Sequence, residues 1–163
     1  MIDGESAVFA LPYFTSEGGG LELYGVRIYV GGEARVILDR VESAHYMMMR
    51  GLFGQGLFGG DSPGLSGSVG ISDCRTRYEL SHDGGAVSLK VICEVTLDSE
   101  LANDEYADEI CRAARRGMGS LYAELSSRHG DLFGFGKVAA REGITAEDLT
   151  GGLSVSFECI ERG

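Results

Sequence analysis

The side chains best suited to acid–base chemistry near neutral pH are three histidines. His45 falls in a helical pattern, His82 in a hairpin turn and His129 at the end of a long helical pattern. No nucleophile or metal ligand stands at a local spacing that would pair with any of them. We therefore interpret His45 as a partly buried helix residue, His82 as a solvated turn residue and His129 as a cation favoured at a helix C-terminus.

Four cysteines are the next candidates, for metal binding or for disulfide formation: Cys74, Cys93, Cys111 and Cys159. They are widely spaced and include no CxxC pair, so they do not match a zinc site. They are also too sparse for a disulfide scaffold. Because free cysteines are commonly buried, we interpret them as buried free thiols and keep one disulfide as the alternative.

Carboxylates crowd the first turns of the long helical pattern, at Asp104, Glu105, Asp108 and Glu109. The group lacks the loop and the glycine of an EF-hand, so we interpret it as a solvated acidic face and not as a cation site. No serine stands in a GxSxG elbow. The sequence therefore predicts no catalytic residue, no metal ligand and no cofactor.

A glycine-rich loop, residues 54–64, contains a formal match to a nucleotide-binding motif. Gly54-Gln55-Gly56-Leu57-Phe58-Gly59 fits GxGxxG, but it follows a helical pattern. A dinucleotide fingerprint follows a strand and opens a helix, so we do not interpret this match as a nucleotide site. A small-molecule-binding or enzymatic domain that uses the 54–64 loop stays open as an alternative.

Composition and charge narrow the class of protein. The 163 residues fit a single domain, 1–163, that is long enough to bury a core. The net charge of −11 argues against nucleic-acid binding and against electrostatic docking on anionic lipid. No apolar run approaches the roughly 20 residues that span a bilayer, so we expect no direct membrane insertion by this chain.

The elements that would position these side chains begin with strands. We predict strands at Ser6–Phe14, Leu21–Val30 and Ala34–Leu38, with a hairpin turn at Gly31-Gly32. A helix should follow, because Asp39 and Glu42 have the spacing of a capping box and Gly51 is placed to end it.

The second half is predicted to contain a hairpin, a long helix and a last strand. Their expected ranges are Val69–Leu80 with Ala86–Leu97, then about Asn103 to His129, a short helix that begins at Thr145, and Leu153–Ile160. Gly117 and Gly119, inside the long helix, indicate a bend or a close approach to a neighbour. Together the patterns predict an α+β fold, a mostly antiparallel twisted sheet with the long C-terminal-half helix packed on one face.

The stretch Gly130–Gly136 follows the long helix and carries our candidate residues. Gly130 is typical of the left-handed glycine that ends a helix. Phe133 and Phe135 are unusual between glycines, since loops are commonly polar. We expect both rings to be packing anchors, because buried aromatic side chains gain most from area, and keep a partner contact as the alternative. The candidate packing or interaction residues are Asp131, Phe133, Gly134, Phe135 and Gly136.

In this order the elements resemble the C-terminal domain of the spore-germination receptor C-subunit lipoproteins, the Ger(x)C family. That domain ends with a long helix, an Asp-aromatic/aliphatic-Gly-Phe-Gly stretch, a short helical segment and an alternating strand that closes on Gly. The matching parts here are the helix to His129, Asp131–Gly136, and Leu153–Ile160 with Gly163. The family's opening glycine, strand, turn, strand and helix match Gly25–Glu42, and the Ser72–Leu101 hairpin is similar too. The family's tryptophans near the last short helix have no counterpart in this chain.

The resemblance implies a non-enzymatic role as a scaffold or interaction module in spore germination. It implies a domain of a lipoprotein subunit of a nutrient germinant receptor, whose partners are the membrane-embedded receptor subunits. The implied location is the outer face of the spore inner membrane, held by a lipid anchor that is not in this chain. A stand-alone sporulation protein with the same fold is the remaining alternative.

Overall fold

Seven strands and three α-helices make up the part of the chain that the computed structural model describes, residues 7–17, 19–60, 67–98 and 104–162. The strands are β1 (Val8–Glu17), β2 (Gly20–Val30), β3 (Glu33–Leu38), β4 (Gly56–Gly60), β5 (Gly67–Asp83), β6 (Ala86–Leu97) and β7 (Leu153–Glu161). The helices are α1 (Arg40–Met49), α2 (Asp104–His129) and α3 (Phe135–Arg141), and a 3-10 helix spans Asp148–Gly151. The α+β class is confirmed, with the strands divided between two sheets.

The first sheet is an antiparallel meander in the order β1–β2–β3. The hairpin turn predicted between β2 and β3 is present, and both of its glycines have positive φ. Within β2, Gly25 passes so close to the end of β3 that a Cβ there would overlap the Leu38 carbonyl oxygen. This position therefore requires glycine.

The second sheet has the order β4–β5–β6–β7 and is antiparallel except for its last pair. β7 runs parallel to β6 because α2 and α3 carry the chain back across the sheet between them. β6 has the predicted bounds, and its core-facing side chains are buried as its alternation indicated: Val87, Leu89, Val91, Cys93, Val95 and Leu97.

α1 and α2 pack on the same side of the second sheet. The thiol of Cys93 in β6 lies 3.7 Å from the sulfur of Met118 in α2. Side chains of β5 hold the C-terminal end of α1: Thr76 donates to the Met48 carbonyl oxygen at 2.7 Å, and Tyr78 donates to the Met49 carbonyl oxygen at 2.9 Å. These hydrogen bonds satisfy carbonyl groups that a helix end leaves without partners.

The start of α1 and the end of α2 have the capping residues that the sequence predicted. The Asp39 side chain accepts from the Glu42 N–H at 2.9 Å, and the Glu42 side chain accepts from the Asp39 N–H at 3.0 Å, which is the predicted capping box. α2 ends at His129, and Gly130 follows with a φ of 72°, as predicted.

Three elements differ from the prediction. β4 forms inside the glycine-rich 54–64 loop by pairing with the start of β5. α3 begins at Phe135, inside the stretch predicted to be irregular. The short helix expected at Thr145 is a 3-10 helix that starts at Asp148, although the two residues exchange the predicted hydrogen bonds. Five parts of the predictions lie outside the described residues: Ser6, residues 61–66, residues 99–101 of the Ser72–Leu101 hairpin, Asn103 and Gly163.

Candidate functional site

The connector, residues Gly130–Gly136, turns the chain from α2 into α3. The Asp131 carboxylate accepts hydrogen bonds from the backbone N–H groups of Phe135 at 3.0 Å and of Gly136 at 2.7 Å. Gly134 has a φ of 74°, the left-handed conformation that favours glycine, and it stands immediately before the helix. Asp131 therefore caps α3, because the first N–H groups of a helix have no partner within it.

Removal of the Asp131 cap is expected to destabilise the fold. For Asp131→Ala we expect the free energy of unfolding to fall by about 1–2 kcal/mol, the usual range for a lost N-terminal cap. Asp131→Asn is the matched control, since its amide keeps one acceptor oxygen, and its loss should be smaller. Urea denaturation measures both variants against the wild type. Equal losses in the two variants would contradict a capping role.

The two phenylalanine rings of the connector are inside the domain. Phe133 and Phe135 are 2% and 1% exposed, and their rings stack with centroids 5.5 Å apart. Tyr122 of α2 lies 5.4 Å and 5.7 Å from them. We call these three rings and their further neighbours the aromatic cluster: Tyr46, Tyr78, Tyr122, Phe133, Phe135 and Phe157. The connector rings thus join α1, α2, β5 and β7, and they are covered from any partner.

Tyr46 ties the connector to α1. Its side chain is fully buried, and its hydroxyl donates to the Leu132 carbonyl oxygen at 3.0 Å. The same hydroxyl accepts from the Arg50 guanidinium at 2.9 Å. Burial raises the pKa of Tyr46 more than the Arg50 charge lowers it. The hydroxyl therefore keeps its proton and both hydrogen bonds at neutral pH.

The side of the first sheet that faces away from the core, which we call the outer face, carries six residues: Phe9, Leu11, Tyr13, Arg27, Tyr29 and Ile37. Phe9, Leu11 and Ile37 are exposed, whereas Tyr13, Arg27 and Tyr29 are half-buried. Along β1, Val8 and Ala10 pack against the core, whereas Phe9 and Leu11 alternate with them and are 40% and 48% exposed. A contiguous exposed apolar patch is typical of an interaction surface.

Strand register makes the outer face continuous across the sheet. Leu11 of β1 lies opposite Arg27 of β2, and Arg27 lies opposite Ile37 of β3, which is 46% exposed. Phe9 stacks on Tyr29 with ring centroids 5.1 Å apart. Residues directly opposite each other in antiparallel strands share a face, so these side chains form one surface.

One cation, the Arg27 guanidinium, lies within the outer face. The Arg27 guanidinium carbon is 4.4 Å from the centroid of the Tyr13 ring, a cation–π contact. Its Nε is buried and has no hydrogen-bond partner among the described residues. The outer face therefore offers apolar area together with a fixed positive charge. Sequence reasoning did not single it out, although apolar residues occupy both alternating sets of β1, a signal that both sides of a strand are covered.

His45 is buried between α1 and α2, more deeply than we predicted. It is 4% exposed and lines a cavity of about 320 Å³ with residues of these two helices, including Glu42, Arg116 and Glu124. Its Nε2 has no hydrogen-bond partner among the described residues. Burial lowers the pKa of His45 to about 4, against a smaller opposite effect of Asp39. The imidazole is therefore neutral at physiological pH.

Gly117 explains how α2 approaches this histidine. A Cβ at Gly117 would overlap the His45 ring, which confirms the close approach predicted for this glycine. At Gly119 the nearest atom to an added Cβ is a Phe157 ring carbon at 4.0 Å, an ordinary contact. Packing therefore excludes a side chain at Gly117 but not at Gly119.

Alanine substitutions at these two glycines are expected to have opposite effects. Gly117→Ala should lower the free energy of unfolding by about 1 kcal/mol or more, because overlap with a buried ring outweighs the gain in helix propensity. Gly119→Ala should raise it by up to about 1 kcal/mol, because the added methyl group meets no obstacle. Thermal denaturation of the two variants checks the signs. Changes of the same sign would contradict the packing described here.

The other residues considered for chemistry do not converge on one site. Cys74 and Cys93 are buried as predicted, whereas Cys111 and Cys159 are half-buried and lie side by side. His82 lies at the end of β5, where its side chain is 42% exposed and its Nε2 is 3.9 Å from an Asp148 carboxylate oxygen. The cavity at His45 is lined by α1 and α2, not by residues of the 54–64 loop.

Two features are absent from the described residues, a metal-binding cluster and a membrane-spanning helix. No group of three or more His, Cys, Asp or Glu side chains among them is arranged to hold a metal ion. None of the helices in this part of the chain combines the length and the apolar character needed to cross a bilayer.

The architecture defined above, a meander sheet joined to a mixed sheet under two helices, is shared with a protein of known structure. The chain superposes on the crystal structure of the GerBC protein with a TM-score of 0.61 over 97% of its residues, at 10% sequence identity. It spans 57% of that protein's length. No protein-family model and no curated protein matches the sequence. The resemblance to the Ger(x)C family is thereby confirmed at the level of the fold.

Proposed function

We propose that this chain is a single, non-enzymatic domain of a nutrient germinant receptor subunit, where it serves as a scaffold for the membrane-embedded subunits. The observation that carries the proposal is the likeness to GerBC, which extends over 97% of the chain. The order of motifs in the sequence supports it independently, since that order resembles the order in the family's domain. The proposal assigns no catalytic residue and no cofactor.

The outer face is the surface that we expect to contact the membrane-embedded subunits. Its exposed apolar side chains would gain free energy on burial against a protein partner. The connector rings cannot serve this role, because Phe133 and Phe135 are already covered within the domain. We therefore assign the connector to packing and the first sheet to the partner contact.

The proposed location is the outer face of the spore inner membrane, with attachment through a lipid anchor. The net charge of −11 opposes close electrostatic attachment to anionic lipid. A separate anchor and a protein partner would supply the attachment that the surface of this domain disfavours.

Co-purification tests the proposal. The tagged chain is incubated with a detergent extract that contains the membrane-embedded receptor subunits of the same organism, and their recovery is quantified by immunoblotting. We expect the wild type to retain them. Leu11→Glu and Ile37→Glu place a carboxylate on the outer face, and we expect each to reduce recovery about tenfold or more, the effect of a lost central contact.

Leu57→Glu is the matched control, because Leu57 is 74% exposed but lies on β4 of the second sheet. It should retain the partner, and all three variants should have the unfolding midpoint of the wild type. If both outer-face variants retain the receptor subunits in full, the partner contact lies on another surface of the domain. Failure of the wild type to retain any receptor subunit would contradict the proposed function itself.

A further inference from the structure

Two cysteines from separate elements meet at the surface of the domain. Cys111 lies in α2 and Cys159 in β7, and their sulfur atoms are 2.9 Å apart. Both residues are half-buried, so small reagents in solution can reach them. The other two cysteines, Cys74 and Cys93, are buried. A disulfide bond has an S–S distance of about 2.04 Å, so its formation requires the two sulfur atoms to approach by roughly 0.9 Å.

The surroundings of this thiol pair favour reaction at Cys111. A surface recess of about 270 Å³ is lined by both cysteines together with Asp108, Arg112 and Arg115. Cys159 donates a hydrogen bond to the Cys111 sulfur. This hydrogen bond lowers the pKa of Cys111 more than burial and the nearby carboxylates of Asp108 and Glu161 raise it. The thiolate is the reactive form of cysteine, so Cys111 is the sulfur placed to attack an external oxidant.

Cys93 is the competing partner, and the structure disfavours it. Cys93 lies directly opposite Cys159 in the parallel pair of β6 and β7. Its side chain is fully buried, where it lies 3.8 Å from the Thr76 hydroxyl and 3.7 Å from the Met118 sulfur. Burial raises the pKa of Cys93 to about 11. It is therefore protonated and shielded from reagents in solution.

We propose that Cys111 and Cys159 form a reversible disulfide that ties α2 to β7. The oxidant is a low-molecular-weight disulfide such as oxidised glutathione. The Cys111 thiolate attacks one of its sulfurs, which forms a mixed disulfide and releases one small thiolate. Cys159 then gives its proton to solvent and attacks the Cys111 sulfur, which releases the second small thiolate. Two protein thiols are oxidised by two electrons in total, and one external disulfide is reduced to two thiols.

The bond would link positions 48 residues apart in the sequence. The enclosed segment contains the connector, α3 and the 3-10 helix, so the link would fasten the C-terminal part of the domain to α2. Cross-linking a long loop restricts the unfolded chain and so stabilises the folded one. We expect the unfolding midpoint of the oxidised chain to rise by roughly 5–15 °C over the reduced chain.

The full chain is incubated with oxidised glutathione, and the remaining thiols are alkylated before peptide mapping by mass spectrometry. We expect a loss of two hydrogens, a linked pair of peptides that contain Cys111 and Cys159, and a higher unfolding midpoint that dithiothreitol reverses. Cys159→Ser should stop the reaction at its first step and accumulate glutathione on Cys111. Cys74→Ser is the matched control and should still form the link.

Three results would overturn the proposal. They are full alkylation of all four cysteines after oxidation, a link between Cys93 and Cys159, and a stable glutathione adduct on Cys111 in the wild type. A linked chain whose unfolding midpoint equals that of the reduced chain would contradict the stabilising role. These readouts use the isolated chain, so they are independent of the proposed receptor function.

Discussion

Phe135→Ala is expected to lower the free energy of unfolding by about 3–5 kcal/mol, the largest stability loss that we predict for this domain. The Phe135 ring is 1% exposed and lies against the rings of Phe133 and Tyr122 at 5.5 and 5.7 Å. Truncation removes this area and leaves a cavity where α2, α3 and both β5 and β7 meet. The Asp131 cap uses the backbone of position 135, so the substitution leaves that hydrogen bond in place.

Phe14→Ala is the matched control, because it deletes the same ring from a residue of β1 that is 52% exposed. We expect Phe14→Ala to lower the free energy of unfolding by about 1 kcal/mol or less, because this ring buries little apolar area. Urea denaturation of both variants gives the comparison. A Phe135→Ala protein as stable as the wild type that fails to retain its partner would instead assign this ring to binding.

Acid should destabilise this domain through His45. The pKa is about 4 in the folded protein and 6.5 for an unperturbed histidine. Between these values the unfolded chain binds a proton that the folded protein does not, so stability falls as the pH falls from about 6.5 to about 4. A shift of this size corresponds to about 3 kcal/mol at pH 4, and the contribution is fully present above the unfolded value.

The His45 contribution is separated from that of the carboxylates by comparing the pH dependence of stability in the wild type and in His45→Gln. The carboxylates are present in both proteins, so their contribution cancels in the difference. The difference in free energy of unfolding between the wild type and His45→Gln should change by about 3 kcal/mol between pH 7 and pH 4. Parallel profiles for wild type and His45→Gln, or a His45 proton resonance that titrates near pH 6.5, would contradict the burial described here.

Local rules explain the elements that the sequence predicted well. The capping box of Asp39 and Glu42 places the start of α1, and the alternation in Ala86–Leu97 predicts both the bounds and the core-facing side of β6. Each of these signals involves residues a few positions apart, so the physics that forms the element is visible in the sequence. The same holds for Gly130 at the end of α2.

α3 was missed because its cap does not follow the common spacing. The carboxylate of Asp131 reaches the N–H groups four and five residues later, and Gly134 stands directly before the helix. A seven-residue helix also gives little periodic signal. β4 was missed for a different reason: its glycines disfavour a strand, and it forms by pairing with β5.

Non-local contacts account for the remaining differences. The parallel pairing of β6 with β7, the overlap that excludes a side chain at Gly117, and the proximity of Cys111 to Cys159 all join residues far apart in the sequence. Sequence reasoning noted each of these residues but could not bring the partners together. The outer face was missed for the same reason, because its continuity depends on the register of three strands.

The nutrient response of spores tests the central claim most directly. Spores of the encoding organism that lack this chain are compared with wild-type spores for loss of refractility after nutrient addition. We predict normal spore yield with a nutrient response at least about tenfold slower, restored by the wild-type gene and not by Leu11→Glu. An unchanged nutrient response together with a reduced spore yield would contradict a receptor role and favour a stand-alone sporulation protein with this fold.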